Sequence, residues 1–151
     1  MKKRVKNWGE LNTDELYSLL QLRQEVFIIE QNCVYQDLDQ HDTNSIHILG
    51  YSDTTLVAYS RVLPPNELYA QASIGRVAIS KEHRGKNLGR ELMDYTLELC
   101  GELFGKDAQI KIMAQYYLVP FYESLGFEVI SNKFWDDEIA HYYMLKRSLE
   151  S

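Results

Sequence analysis

Apolar positions along the chain recur with two distinct periods, and these place most of the secondary structure. Asn12 followed by Glu15 has the form of a capping box, with Asn in the Ser/Thr place. Behind it Leu16, Leu19, Leu20, Val26 and Phe27 share one helical face, predicting a helix that runs to about Phe27. Ile46–Tyr51 and Leu56–Leu63 are rich in β-formers and are separated by Ser52-Asp53-Thr54-Thr55, which predicts an antiparallel hairpin ended by Pro64-Pro65. Ile74–Ile79 is short and mostly apolar, as a central strand should be. Leu88, Leu92, Tyr95, Leu99 and Leu103 are spaced by four, three, four and four residues, predicting a helix that closes at Gly105. Gln109–Ala114 reads as a strand. Pro120 suits the first turn of a short helix over Phe121–Leu125 with Gly126 as its cap, and Phe127–Ile130 and Tyr142–Leu145 are the last two strands. The order predicts an α/β (α+β) fold with a mixed sheet, not a clean alternation of parallel units.

At 151 residues, 45% of them hydrophobic and 25% charged, one domain spanning residues 1–151 is expected and disorder is excluded as the main state. No apolar run approaches the roughly 18 residues of a membrane span, and the basic start Met1–Trp8 lacks the apolar stretch of a signal peptide. Cys33 and Cys100 read as free thiols of a cytoplasmic protein. Neither they nor His41, His47, His83 and His141 have zinc-site spacing, so no metal is expected.

A formal charge of −6 argues against a general nucleic-acid binder. Between Lys81 and Arg90, however, Lys81, Arg84, Lys86 and Arg90 face only Glu82, a local +3. A basic patch on an acidic chain points to a small, strongly anionic ligand, with a merely solvated loop as the alternative. The context favours the ligand. Ile74–Ile79, the polar loop Ser80–Asn87 and a helix beginning near Leu88 form a strand-loop-helix whose first N–H groups are free to meet an anion. Gly85 and Gly89 permit close backbone approach, while Arg84, Lys86 and Arg90 supply charge. Neither G-x-x-x-x-G-K-[ST] nor G-x-G-x-x-G is present, so the phosphates belong to neither standard loop.

Arg84-Gly-Lys-Asn-Leu-Gly89 resembles the pyrophosphate loop of the GNAT N-acetyltransferases, usually [QR]-x-x-G-x-[GA], with Asn87 where Gly is usual. Ala114-Gln115 with Phe121-Tyr-Glu-Ser-Leu-Gly-Phe127 resembles that superfamily's second signature. Val26–Tyr35, Leu38-Asp39, Asp42 to His47, Gly75-Arg76-Val77 and Ile139-Ala140-His141 are similar to its ElaA-like branch. The resemblance covers the chain from about Trp8 to Leu145.

It implies a mostly antiparallel mixed sheet with helices on both faces and a splayed central strand pair, Ile74–Ile79 and Gln109–Ala114. It further implies an acetyl-CoA-dependent N-acetyltransferase in which a neutral amine attacks the thioester directly. Val77, Ala78 and Ile79 would hold the pantetheine arm. Arg84, Gly85, Lys86, Asn87, Leu88, Gly89 and Arg90 would cradle the pyrophosphate, with Gln115 and Tyr122 completing the cofactor site. Tyr122 matches the family's general acid, with a packed core tyrosine as the alternative. Glu30, Asp39, Asp42, His47 and His141 are candidates for binding the amine or relaying its proton, with Glu30 and His47 assigned to catalysis and Asp39, Asp42, Arg76 and His141 to binding the acceptor. Each has a structural alternative: Glu30 as a helix end, Asp39 and Asp42 as turn formers, the histidines as packed strand residues, Arg76 as an ion-pair partner. If Asn87 needs φ > 0, Asn is the non-glycine residue that tolerates it best. The acidic Glu30–Asp42 and Asp136-Asp137-Glu138 segments favour a cationic small molecule or peptide as acceptor. No nucleic-acid or membrane partner is expected, and exposed sheet edges are compatible with a homodimer. The other readings are a coenzyme A-binding or sensing module without efficient turnover, and an interaction protein with no ligand.

Overall fold

The computed structural model describes residues 1–150. Strand β1 (Lys2–Asn7) precedes helix α1 (Thr13–Arg23), which widens into a π-helical segment, Gln24–Glu30. Strands β2 (Ile46–Ser52), β3 (Thr55–Leu63) and β4 (Ser73–Ile79) follow, then α2 (Leu88–Phe104), β5 (Ile110–Gln115) and α3 (Val119–Ser124). The chain closes with β6 (Glu128–Val129), β7 (Phe134–Asp136) and β8 (Ile139–Lys146). Among the described residues no helix is long and apolar enough to cross a membrane.

The strands form two four-stranded antiparallel sheets, one ordered β1-β2-β3-β4, the other β5-β8-β6 with β7 also on β8. They meet at one parallel bridge, Ala72 to Ile110, reinforced by the Lys111 N–H donating to the Ala72 carbonyl at 2.9 Å. Beyond it β4 and β5 do not pair, which is the expected splay. Sheet alternation sorts the core. Ile48, Val57, Val62 and Ile74 pack toward α2 and α3, while Leu49, Tyr59 and Ala78 meet Leu19, Leu22 and Val26 of the first helix, so helices cover both faces.

The Asn12–Glu15 capping box is present on both sides. The first helix continues to Glu30, past the expected end, by widening after Arg23, which lies fully buried. In α2 the fully buried stripe is Leu92, Met93, Thr96 and Cys100, whereas Leu103 is exposed, so only part of the leucine pattern marks the core. Strand β1 escapes a hydrophobicity reading because Lys2, Lys3, Arg4 and Lys6 crowd it. It is an edge strand held by its register with β2, Lys2 opposite Tyr51 through Asn7 opposite Ile46. Strand β7 is also unmarked in the sequence, being three residues that pair only with β8.

Candidate active site

The space between β4 and β5 is a cleft of about 1190 Å³ that reaches from the start of α2 to the β7–β8 turn. At its basic end Asn87 is the N-cap of α2 and adopts the left-handed conformation, φ 62°, ψ 20°, which Asn tolerates among non-glycine residues. Its side chain makes no capping bond, so the first N–H groups of this 17-residue helix stay free. Gly85 has φ 81°, a conformation that calls for glycine. A Cβ at Gly89 would meet nothing beyond its own helix closer than Ile79 Cγ1 at 3.9 Å, so packing does not demand glycine there and its absence of a side chain leaves the helix start bare. Arg84, Gly85, Asn87, Leu88, Gly89 and Arg90 line this end, while Lys86 is exposed and off the cleft wall. Arg90 is steadied by Ser124 Oγ and the Phe121 ring.

Along the middle of the cleft β4 is bonded to β3 on one side only. The register passes from Tyr59–Ala78 to Arg61–Gly75, so β4 carries one extra residue, and Arg76 sits in this bulge at φ 50°. The bulge has no sequence signature beyond Gly75, and it bends β4 away from β5. Val77 and Ile79 line the cleft, but Ala78 does not. Its side chain is buried on the opposite face against α1, so any part it plays is through its backbone. Gln115 exchanges amide hydrogen bonds with Gln31 and also accepts from the Tyr117 hydroxyl, which fixes the end of β5 to the π-helical segment.

Tyr122 lines the cleft with its ring packed edge-on between Phe121 and Phe127. Burial pushes its hydroxyl up to about 12, so it keeps its proton at neutral pH, and among the described residues that hydroxyl has no hydrogen-bond partner. A buried, protonated, unengaged phenol is suited to donate a proton.

The expected proton relays are placed otherwise. Glu30 lines the cleft, but Arg84 grips both its carboxylate oxygens, and that hydrogen bond holds Glu30 below the usual carboxylate range. His47 is a correction: it is fully buried off the cleft, with Nδ1 2.6 Å from the Tyr59 hydroxyl and Nε2 2.9 Å from the Asp42 carbonyl. Burial lowers its pKa, so it is a packed neutral histidine.

Asp42 is a second correction. One of its oxygens accepts from Arg23 Nη1 at 2.7 Å and Arg61 Nη1 at 3.0 Å, and Asp42 itself is buried behind the cleft wall, which it does not line. Asp39 and Arg76 do face the cleft, but they bind each other and their neighbours: Asp39 takes Arg61 at 2.8 and 2.5 Å and Arg76 at 3.3 Å. Arg76 Nε lies 2.7 Å from Asp37 Oδ1. Burial opposes ionisation of Asp39 and Asp42, yet the arginine hydrogen bonds and charges outweigh it and hold both below the usual range. Arg23, Arg61 and Arg76 thus balance Asp37, Asp39 and Asp42, and pin the segment after Glu30 to β3 and β4.

Arg23, Arg61 and Asp37 were not expected at the site. Arg23 had a signal, since it continues the buried stripe of Leu19, Leu22 and Val26, where a charge needs a partner. His141 lies on the cleft wall, half of what its expected role requires, with Nδ1 2.7 Å from the Ile139 carbonyl. Both cysteines are free and buried. Cys33 Sγ donates to the Asp137 carbonyl at 3.0 Å, and burial pushes Cys100 up to about 12, so neither is poised as a nucleophile.

A splayed strand pair beside an uncapped helix start defines the class. The pattern of the acetyltransferase (GNAT) domain family matches residues 13–148, from α1 through β8. The chain belongs to that family of N-acyltransferases. Its relatives include Protein ElaA of Escherichia coli K12, 40% identical over 145 residues, which are 95% of this chain and 94% of that one. The crystal structure of E. coli ElaA matches with a TM-score of 0.89 at 39% identity, covering 97% of this chain and 99% of that one. An acyl-CoA N-acyltransferase from Pseudomonas aeruginosa matches with a TM-score of 0.90 at 36% identity, over 97% and 99%. An aminoglycoside 6'-N-acetyltransferase complexed with coenzyme A shares the fold alone, at a TM-score of 0.73 and 12% identity over 98% of each chain.

Proposed function

We propose that the protein transfers an acetyl group from acetyl-CoA to the primary amine of a cationic small molecule or peptide. The observation that carries this reading is the continuity of one cleft from the free N-terminus of α2, past the unpaired edge of β4, to Tyr122 and the acidic turn at Asp136 and Asp137. The basic end fits a polyphosphate: free amide N–H groups, a bare Gly89 and the charges of Arg84 and Arg90 converge there. The same fold in another acetyltransferase holds coenzyme A.

When bound, acetyl-CoA supplies an acyl group already activated as a thioester, so no protein nucleophile is needed. The backbone of Val77 and Ile79 presents hydrogen-bonding groups along the edge where a pantetheine arm would lie. Tyr122 holds a proton for the leaving sulfur. At the acceptor end Asp136 and Asp137 line the cleft without an ion-pair partner among the described residues, unlike Asp39, whose charge is spent on Arg61 and Arg76. Net negative charge there favours an ammonium acceptor. Asn87 gives no support to a weakened loop, since it already holds the conformation that glycine would adopt.

The test is thermal unfolding with and without acetyl-CoA, beside an Arg84→Glu/Lys86→Glu variant. At about 100 times Kd, binding contributes ~2.7 kcal/mol. At roughly 2 to 4 °C per kcal/mol, Tm rises by several degrees. The wild type should shift and the variant should not. Acetylation of polyamines, lysine peptides and aminoglycosides then follows, and preference for neutral or acidic acceptors contradicts the cationic assignment.

A further inference from the structure

An acceptor ammonium with a pKa of about 10.4 must lose a proton before its nitrogen can attack. Of the candidates for taking it, Glu30 is held by Arg84, Asp39 by Arg61 and Arg76, and His47 is sealed in the core. His141 differs from all three. It lies on β8 opposite Gln115 of β5 and Phe134 of β7, with the Phe134 ring stacked on it at 6.0 Å and 24°. Its Nδ1 is 2.7 Å from the Ile139 carbonyl oxygen. A carbonyl only accepts, so Nδ1 carries the hydrogen and, in the neutral ring, Nε2 carries the lone pair. His141 lines the cleft at 6% exposure; among the described residues its Nε2 has no hydrogen-bond partner and is not one of the fully sealed polar atoms, so this nitrogen keeps contact with solvent.

Resting on the acetyltransferase reading, we propose that His141 is the general base: Nε2, opposite an Nδ1–H tied to the Ile139 carbonyl, takes one proton from the acceptor ammonium. The ammonium and the neutral imidazole become a neutral amine and an imidazolium, which then releases its proton to water. Nδ1–H never leaves the Ile139 carbonyl. Phe134 fixes the ring plane, and the carbonyl fixes the tautomer. The charged and titratable groups on the same cleft walls are Glu30, Cys33, Tyr35, Asp39 and His41 from the π-helical segment and the chain after it, Arg61 from β3, Tyr69 before β4, Arg76 from β4, Arg84 and Arg90 at the basic end, Tyr117 and Tyr122 after β5, Asp136 and Asp137 from the β7–β8 turn, and Tyr143 from β8 itself. Asp136 and Asp137 attract the ammonium to the cleft that His141 lines.

The test compares wild type with His141→Gln, using spermidine, a lysine peptide or an aminoglycoside, whichever the wild type acetylates. At pH 7 the variant's kcat/KM should fall about 100-fold. The loss should shrink steadily as pH rises toward about 10, where the amine deprotonates unaided. Added imidazole should restore part of the neutral-pH rate, and the Tm shift with acetyl-CoA should stay. Equal losses at every pH, or no loss, overturn the assignment. A second measurement needs neither acceptor nor variant. Diethyl pyrocarbonate, which attacks accessible neutral imidazole nitrogens, should modify His141 and spare His47, as read by peptide mass. A His141 as unreactive as His47 overturns the proposal. Wild type that gains no stability from acetyl-CoA and acetylates none of these amines fails the acetyltransferase reading itself, a different result from wild-type turnover without a His141 effect.

Discussion

Arg84 and Glu30 form a two-point ion pair across the mouth of the cleft, with Nη2 2.7 Å from Oε1 and a second, shorter contact between Nη1 and Oε2. Arg84 also donates to the Ile79 carbonyl, at 3.2 Å from Nε and 3.0 Å from Nη2. The residue expected to meet a pyrophosphate therefore already holds an acid and the end of β4. A phosphate must compete with Glu30 for it.

Glu30→Gln should accordingly tighten coenzyme A binding. Both side chains are partly exposed, so the gain is at the upper end of exposed-pair energies, about 1 kcal/mol or roughly fivefold in Kd. Isothermal titration checks it, and the gain should shrink at high salt. Weaker binding would show that Glu30 positions Arg84 for the ligand.

Asp42 joins two buried arginines, so Asp42→Ala leaves Arg23 with Asp37 alone and Arg61 with Asp39 alone, three guanidinium charges of the network against two carboxylates. Breaking a buried pair in this way costs about 3 to 5 kcal/mol. At roughly 2 to 4 °C per kcal/mol, Tm should fall by at least about 6 °C. An acid limb follows from the same network. Folding lowers the pKa values of Asp39 and Asp42 below the unfolded value of about 3.9, so their contribution is complete above that pH and drains as pH falls through it. Asp42→Asn should flatten the loss of stability below about pH 4. An unchanged acid profile in urea titrations contradicts this.

Tyr122→Phe removes a proton donor without opening the core, because the ring still fills the space against Phe121 and Phe127. The rate should drop by about 100-fold, the low end for general acids, because a thiolate leaves readily. Coenzyme A affinity and Tm should hardly move. With the hydroxyl raised to about 12, the wild-type rate should show no Tyr122-dependent fall below about pH 10.

Asn87→Gly keeps the left-handed N-cap, whereas Asn87→Ala keeps the Cβ but loses the short polar side chain that makes this conformation tolerable for Asn, at about 1 kcal/mol. Coenzyme A affinity should follow Gly ≥ Asn > Ala, with Ala also the least stable in thermal melts. Equal affinity for Ala and Asn contradicts a role for this backbone conformation.

Much of this was legible because it is local. Spacing and turn residues mark α1, the β2–β3 hairpin, α2 and the short α3. Asn87 can be placed because a loop-to-helix junction has its own backbone demands, and the anion site follows from a helix start beside basic residues. Strands β1 and β7 were not legible, since one is highly charged and the other three residues long, and both exist only through pairing. The bulge at Arg76 depends on register with β3, which one strand's sequence does not contain.

The sequence alone determined the succession of α1, the β2–β3 hairpin, β4, α2, β5 and α3, the basic loop and the position of Tyr122, since each rests on residues close together in the chain. Partner choice among charged side chains was decided only in three dimensions. Arg84 closes on Glu30 from 54 positions away because the fold brings the end of the π-helical segment to the basic loop, and Arg61 reaches Asp39 across 22 because folding must pair a charge that it buries. The same reason separates the histidines. His47 and His141 are both strand residues, but packing gave one two hydrogen-bond partners in the core and left the other, on the cleft wall, a nitrogen without a partner among the described residues.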